Sequence, residues 1–194
     1  MGNSGQVLFD IRTGWPDAGS ASGSGSASGS VSGSVSGSGA RQSILCPALR
    51  GLPHEAALDL AILPIHDANG LLLDAIAQPG AGAAPDYAGV CLSDPFRRID
   101  DIFEALRAAG VGGVVNLPTV WSLVAQSDDR LFDDLCDREE ALLAQARATG
   151  LRTLRIARGR LWSAGGGDEE ETCLGRFEDL VRICGPGSEG APDA

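Results

Sequence analysis

The stretch from Asp86 to Val120 constrains this chain more than any other. Tyr87 to Leu92 is a short apolar run suited to a buried strand. Ser93-Asp94-Pro95 predicts a helix start, with Asp94 accepting from an orphan backbone N–H and Pro95 at the first helical position. Ile99, Ile102, Phe103, Leu106 and Ala109 then recur at helical spacing, and Gly110 supplies a stop. Val114-Val115 returns to a strand, broken by Pro118. Strand, helix and strand within about 30 residues form a βαβ unit, whose strands are expected to be parallel with a right-handed crossover.

The flanks extend this pattern unevenly. Residues 41–163 are expected to form the ordered α/β domain. Within it, Ala57–Leu63 predicts a buried strand, Ala68–Gln78 a helix capped by Asp67, Leu131–Thr149 a long helix stopped by Gly150, and Leu151–Ile156 a strand. Residues 41–50 are ambiguous. Residues 1–16 form an N-terminal segment in which Gln6–Arg12 suits one short strand. Residues 17–40 are Ser/Gly/Ala-rich and predict a flexible coil. Residues 164–194 are an acidic tail in which Cys173–Cys184 predicts one amphipathic helix, with Leu174, Phe177, Leu180 and Val181 inward. The ordered span holds only about four βα units at some 30 residues each, against the eight of a full barrel.

Charge and composition narrow the function. A net charge of -11 argues against nucleic acid and anionic membrane surfaces as partners. All 15 basic residues are arginines, so no Schiff base or pyridoxal-phosphate linkage forms on this polypeptide, and the usual P-loop is excluded. The 5 cysteines are far apart with no CxxC pair, which signals reduced thiols, no zinc site and a cytoplasmic setting. No apolar run reaches the length of a membrane span. The pattern names no cofactor and no metal.

In parallel α/β sheets, sites form at the carboxyl ends of strands. That rule selects His66-Asp67-Ala68-Asn69, Cys91-Leu92-Ser93-Asp94 and Asn116-Leu117-Pro118-Thr119. Each has a plainer alternative. Asp67 and Asp94 suit helix caps as well as catalytic acids. Cys91 suits a small core hydrophobe as well as a nucleophile, for which His66 would be the base. Asn116, a poor strand former with an amide to satisfy, suits ligand orientation. Arg97 falls in the expected first helical turn, where the macrodipole disfavours a cation. It is either a salt-bridge partner of Asp94 or Asp101, or a clamp for a carboxylate or phosphate.

The blocks Gly89-Val-Cys-Leu-Ser-Asp-Pro-Phe-Arg97, Asn116-Leu-Pro-Thr-Val120 and Leu63-Pro-Ile-His-Asp-Ala-Asn69 resemble, in order, the phosphoenolpyruvate hydrolase-like TIM-barrel family. The resemblance covers roughly residues 57–157. It implies a partial (β/α) TIM-barrel-like parallel sheet, about half of a full barrel. It also implies a hydrolase- or lyase-type activity on a small anionic carbonyl or enol compound. Cys91, Asp67 and Asp94 are then the catalytic candidates, and Arg97, Ser93, Asn116, Asn69 and Thr119 the substrate-binding ones. Three features depart from the family: its glycine- and arginine-containing loop before Leu63 is missing, Asp128-Asp129-Arg130-Leu131 stands where it carries a glycine-rich turn, and the second half of the barrel is absent. The alternative is a non-catalytic half-barrel interaction module that self-associates as a homo-oligomer or docks on a partner, covering an exposed sheet edge.

Overall fold

The computed structural model describes residues 8–14, 41–53, 60–63, 67–78, 82–124, 130–164 and 171–184. Its elements are β1 (Leu8–Arg12), β2 (Arg41–Leu45), a 3-10 turn (Pro47–Leu49), α1 (Ala68–Ala77), β3 (Tyr87–Val90), α2 (Ile99–Ala108) and β4 (Gly113–Asn116). They continue with α3 (Trp121–Val124), α4 (Arg130–Ala148), β5 (Arg152–Ala157), β6 (Arg160–Ser163), β7 (Thr172–Arg176), α5 (Phe177–Leu180) and β8 (Val181–Cys184).

The strands form one sheet in the order β7-β6-β5-β4-β3-β2-β1-β8. From β8 through β5 every pairing is parallel, whereas β6 and β7 add antiparallel. Chain connectivity dictates its shape. β7 and β8 lie at opposite ends of the sheet, yet only Phe177–Leu180 separates them. Eight strands laid flat would put the two edges about 34 Å apart at the usual interstrand spacing. The Arg176-to-Val181 link reaches at most about 18 Å even fully extended. The sheet therefore curls, and it is a partial barrel.

Curling splits the core in two. Phe9, Ile11, Ile44, Tyr87, Val115 and Leu154 belong to a buried cluster inside the curl, closed by Phe177 and Leu180 of α5. The alternate strand positions, Ala88, Val90 and Val114, face outward and pack with Leu72, Ile102, Phe103, Leu106 and Leu143 of the helices. Period-two alternation along each strand produces this division. Inside the curl, space is tight. A Cβ on Gly89 would lie 2.7 Å from the Leu117 carbonyl and 2.9 Å from Cys46 Sγ.

The predicted βαβ unit is present, with β3 and β4 parallel. α2 and α4 end alike. Gly110 (φ 78°) and Gly150 (φ 89°) adopt the left-handed conformation open to glycine, and the next N–H returns to the helix: Val111 to Leu106 at 3.0 Å and Leu151 to Ala146 at 3.2 Å. Each helix is thus turned directly into the following strand.

Three expectations are corrected. α2 begins at Ile99 rather than at Pro95; the Asp94 carboxylate takes the Phe96 N–H at 2.8 Å and so closes a turn instead of capping the helix. Leu60-Ala61 is a helical turn, not strand, with the Leu63 N–H donating to the Leu60 carbonyl at 3.1 Å. Cys173–Cys184 is not one helix but strand, a single helical turn and strand. Gly175, at φ 147°, holds a backbone shape that a helix cannot contain. The outer segments are also part of the sheet, since β8 pairs with β1 in parallel. The sheet therefore runs beyond the expected 41–163 boundaries at both ends.

The Ser/Gly-rich stretch 17–40, His54, His66, the acidic run 168–170 and the last ten residues lie outside the described residues. No described helix is long and apolar enough to cross a membrane.

Candidate functional site

A cleft of about 700 Å³ opens beyond the carboxyl end of β3. Its lining includes Asp67, Asn69, Cys91, Ser93, Asp94 and Arg97, six of the eight residues selected from the sequence. Strand-end loops converge there because parallel strands deliver their carboxyl ends to one rim.

Asn69 builds the floor. It lies in the first turn of α1 and is only 1% exposed. Its Nδ2 donates to the Cys91 carbonyl and to Asp94 Oδ2, both at 2.9 Å, while its Oδ1 accepts the Cys91 N–H at 3.0 Å. The amide thus engages Cys91 as a neighbouring strand would, just past the point where β3 ends. These bonds are internal, so Asn69 shapes the cleft.

Asp67 and Arg97 form the rim. Asp67 caps α1 as expected, Oδ1 accepting the Gly70 N–H at 2.7 Å. Its carboxylate also takes Arg97 Nη2 through Oδ2 and Arg97 Nε at 3.3 Å. The arginine's salt-bridge partner is thus Asp67, not Asp94 or Asp101. Arg97 also precedes α2 rather than occupying its first turn, where Asp100 and Asp101 suit the helix dipole. The arginine's hydrogen bond, with that from the Gly70 N–H, holds the Asp67 carboxyl below its ordinary range.

Cys91 and Ser93 lie deeper, with Sγ and Oγ 3.6 Å apart. Burial pushes the Cys91 thiol above its ordinary value, only partly offset by Ser93. The group is therefore a protonated thiol at neutral pH, not an activated thiolate.

Asn116 and Thr119 are elsewhere. They join Glu139 of α4 in a buried network behind β4, and they do not line this cleft. Asn116 Nδ2 donates to Thr119 Oγ1 (3.0 Å), Glu139 Oε2 (2.9 Å) and the Ile156 carbonyl (3.0 Å), and its Oδ1 accepts the Ile156 N–H at 2.7 Å. Its hydrogen-bonding capacity is spent on the fold. Glu139, 0% exposed, went unselected in the sequence. Its signal was its place at helical spacing with Cys136, Leu143 and Ala146, all buried.

Among the described residues no group of three His, Cys, Asp or Glu side chains is placed to hold a metal ion.

No family model matches this chain. The chain is 38% identical over 116 residues to the uncharacterized protein y4oT of Sinorhizobium fredii (strain NBRC 101917 / NGR234), covering 59% of each chain. It is 41% identical over 61 residues to the ToMV resistance protein Tm-1(GCR237) of Solanum lycopersicum, covering 30% of this chain and 8% of that protein. The ToMV susceptible protein tm-1(GCR26) of the same plant matches equally. The chain thus spans less than two thirds of the length of these relatives.

Proposed function

We propose that this chain is a phosphoenolpyruvate hydrolase-like barrel protein that takes a small anionic carbonyl or enol compound in the cleft beside β3. The observation that carries this reading is the meeting of Arg97, Ser93 and Cys91 around one opening at the carboxyl end of a parallel strand. The ordered sequence blocks support it, as does the partial-barrel fold. Arg97 holds the anion through its forked guanidinium. The Ser93 hydroxyl orients it, and the protonated Cys91 thiol is the proton donor nearest to hand. Asn69 and Asp94 hold the loop that carries both.

The test is calorimetric titration of phosphoenolpyruvate, pyruvate and oxalate into wild type and Arg97→Ala. Binding to wild type that fails in the variant is expected. No binding to either protein, or equal binding to both, ends this reading.

A second reading rests on Phe96, 94% exposed, and Leu63, 43% exposed, on the same rim. Large exposed apolar groups at an opening suit a protein contact. On this reading the half barrel is a docking module. Light scattering of wild type and Phe96→Ser distinguishes it: an assembly that the substitution dissolves favours docking, and a monomer in both favours the small ligand.

A further inference from the structure

Resting on the anion reading, we infer that Asp67 is a built-in competitor for the ligand's carboxylate or phosphate, occupying Arg97 until that group displaces it. Three observations carry this. First, Asp67 engages Arg97 from the side, through Nε and Nη2, which is how a planar carboxylate ligand docks on a guanidinium. Second, the pair is open to solvent, 36% exposed at the arginine and 54% at the aspartate, so it is readily exchanged. Third, Asp67 need not be stranded when the pair parts, because Oδ1 can keep the Gly70 N–H at the start of α1 while Arg97 turns away.

The charges favour displacement. Among the described lining residues Arg97 is the sole cation, facing Asp67 and Asp94. Asp94 is held by Asn69 and by the Phe96 N–H, and makes no hydrogen bond to Arg97. An anion entering with Asp67 in place meets a net negative opening. With the pair parted it meets a free guanidinium edge. Gly70 leaves room at this point, since a Cβ there would fall 2.3 Å from Asp67 Oδ2 and 2.9 Å from Arg97 Nη2. The ligand class that follows carries one compact carboxylate or phosphate, small enough to replace a side-chain carboxylate.

The experiment titrates phosphoenolpyruvate into wild type, Asp67→Asn, Asp67→Ser, Asp74→Asn and Arg97→Ala. Asn and Ser both cap helices well, so α1 is retained in either Asp67 variant. Asp74 also faces Arg97 electrostatically without bonding to it, and its variant measures the effect of charge alone. The expected result is tighter binding in both Asp67 variants, by up to about fivefold, the ceiling for an exposed pair, with a smaller change in Asp74→Asn. Unchanged or weaker binding in the Asp67 variants, or equal tightening in Asp74→Asn, overturns the competitor while leaving the Arg97 reading intact. Absence of binding in every protein, or undiminished binding in Arg97→Ala, overturns both.

Discussion

Asn69 grips Cys91 by both backbone polar groups, donating to its carbonyl at 2.9 Å and accepting its N–H at 3.0 Å. One side-chain amide therefore fixes α1 to the end of β3, and its remaining donor holds Asp94. Asn69→Ala leaves the Cys91 N–H and carbonyl without these partners at a half-buried position. Stranded groups of this kind cost about 1–3 kcal/mol each, and water entering from the cleft recovers part of it. The expected loss is roughly 2–3 kcal/mol in urea unfolding. Asn69→Asp should lose more, because it removes the donor and sets a second carboxylate against Asp94. A loss under about 0.5 kcal/mol in both variants would show that the grip is incidental.

Gly89 supplies a steric prediction. Its inward side faces the Leu117 carbonyl and Cys46 Sγ, each under 3 Å from any Cβ placed there. The Leu117 oxygen is backbone and cannot rotate away. Gly89→Ala should therefore cost about 1–3 kcal/mol as overpacking, although alanine is the better-tolerated residue in most strands. Thermal unfolding of the variant reads this directly.

The Cys46 thiol, wholly buried inside the curl, is pushed up to about 12 by burial, partly offset by the Ala48 and Leu49 backbone. An ordinary thiol ionises near 8.5. The folded value is the higher one, so the folded state holds the proton more tightly. The associated stability is complete below pH ~8.5 and is lost as pH rises toward 12, at up to about 1.4 kcal/mol per pH unit. Chemical denaturation between pH 8 and 10.5 should show this decline, with a shallower slope in Cys46→Ala. Equal slopes would mean that the buried thiol stays out of the alkaline transition.

Much of this was legible in the residues. Asp67, Gly110 and Gly150 mark helix ends by chemistry that acts locally, and the apolar period of Ile99 to Leu106 needs no partner to be recognised. Other features depend on distant parts of the chain. β8 is short, and what makes it a strand is its pairing with β1 from the far end of the sequence. Leu174, Phe177, Leu180 and Val181 have helical spacing, yet the curl places Leu174 and Val181 on strands at opposite sheet edges. At the site, strand-end logic gathered six of the selected residues in one cleft. Asn116 and Thr119 were drawn away by a carboxylate from α4 that no local pattern links to them. Arg97 kept its place at the cleft but not its helical setting, because the Asp94 side chain closed a turn on Phe96 instead.

That α4 carboxylate yields the last prediction. Glu139 Oε2 accepts from Asn116 at 2.9 Å and Thr119 at 2.6 Å, while Oε1 accepts the Val120 N–H at 3.0 Å. Burial raises its carboxyl above the ordinary range, and the three hydrogen bonds offset this only in part. The folded value is again the higher one, so the stability linked to this proton is complete below the unfolded glutamate value near 4.3 and declines as pH rises through the folded value. Glu139→Gln removes that pH dependence, but it cannot reproduce the bonding. Both glutamate oxygens are acceptors, and a glutamine must turn its NH2 toward either the Val120 N–H or the Asn116 amide. A buried donor then faces a donor, and the expected cost is roughly 2–3 kcal/mol at neutral pH. Urea unfolding at pH 5 and pH 7.5 checks both parts: the variant should be less stable at each, with a smaller difference between the two pH values than wild type. A variant as stable as wild type at pH 7.5 would mean that the network does not tie α4 to the β4 loop.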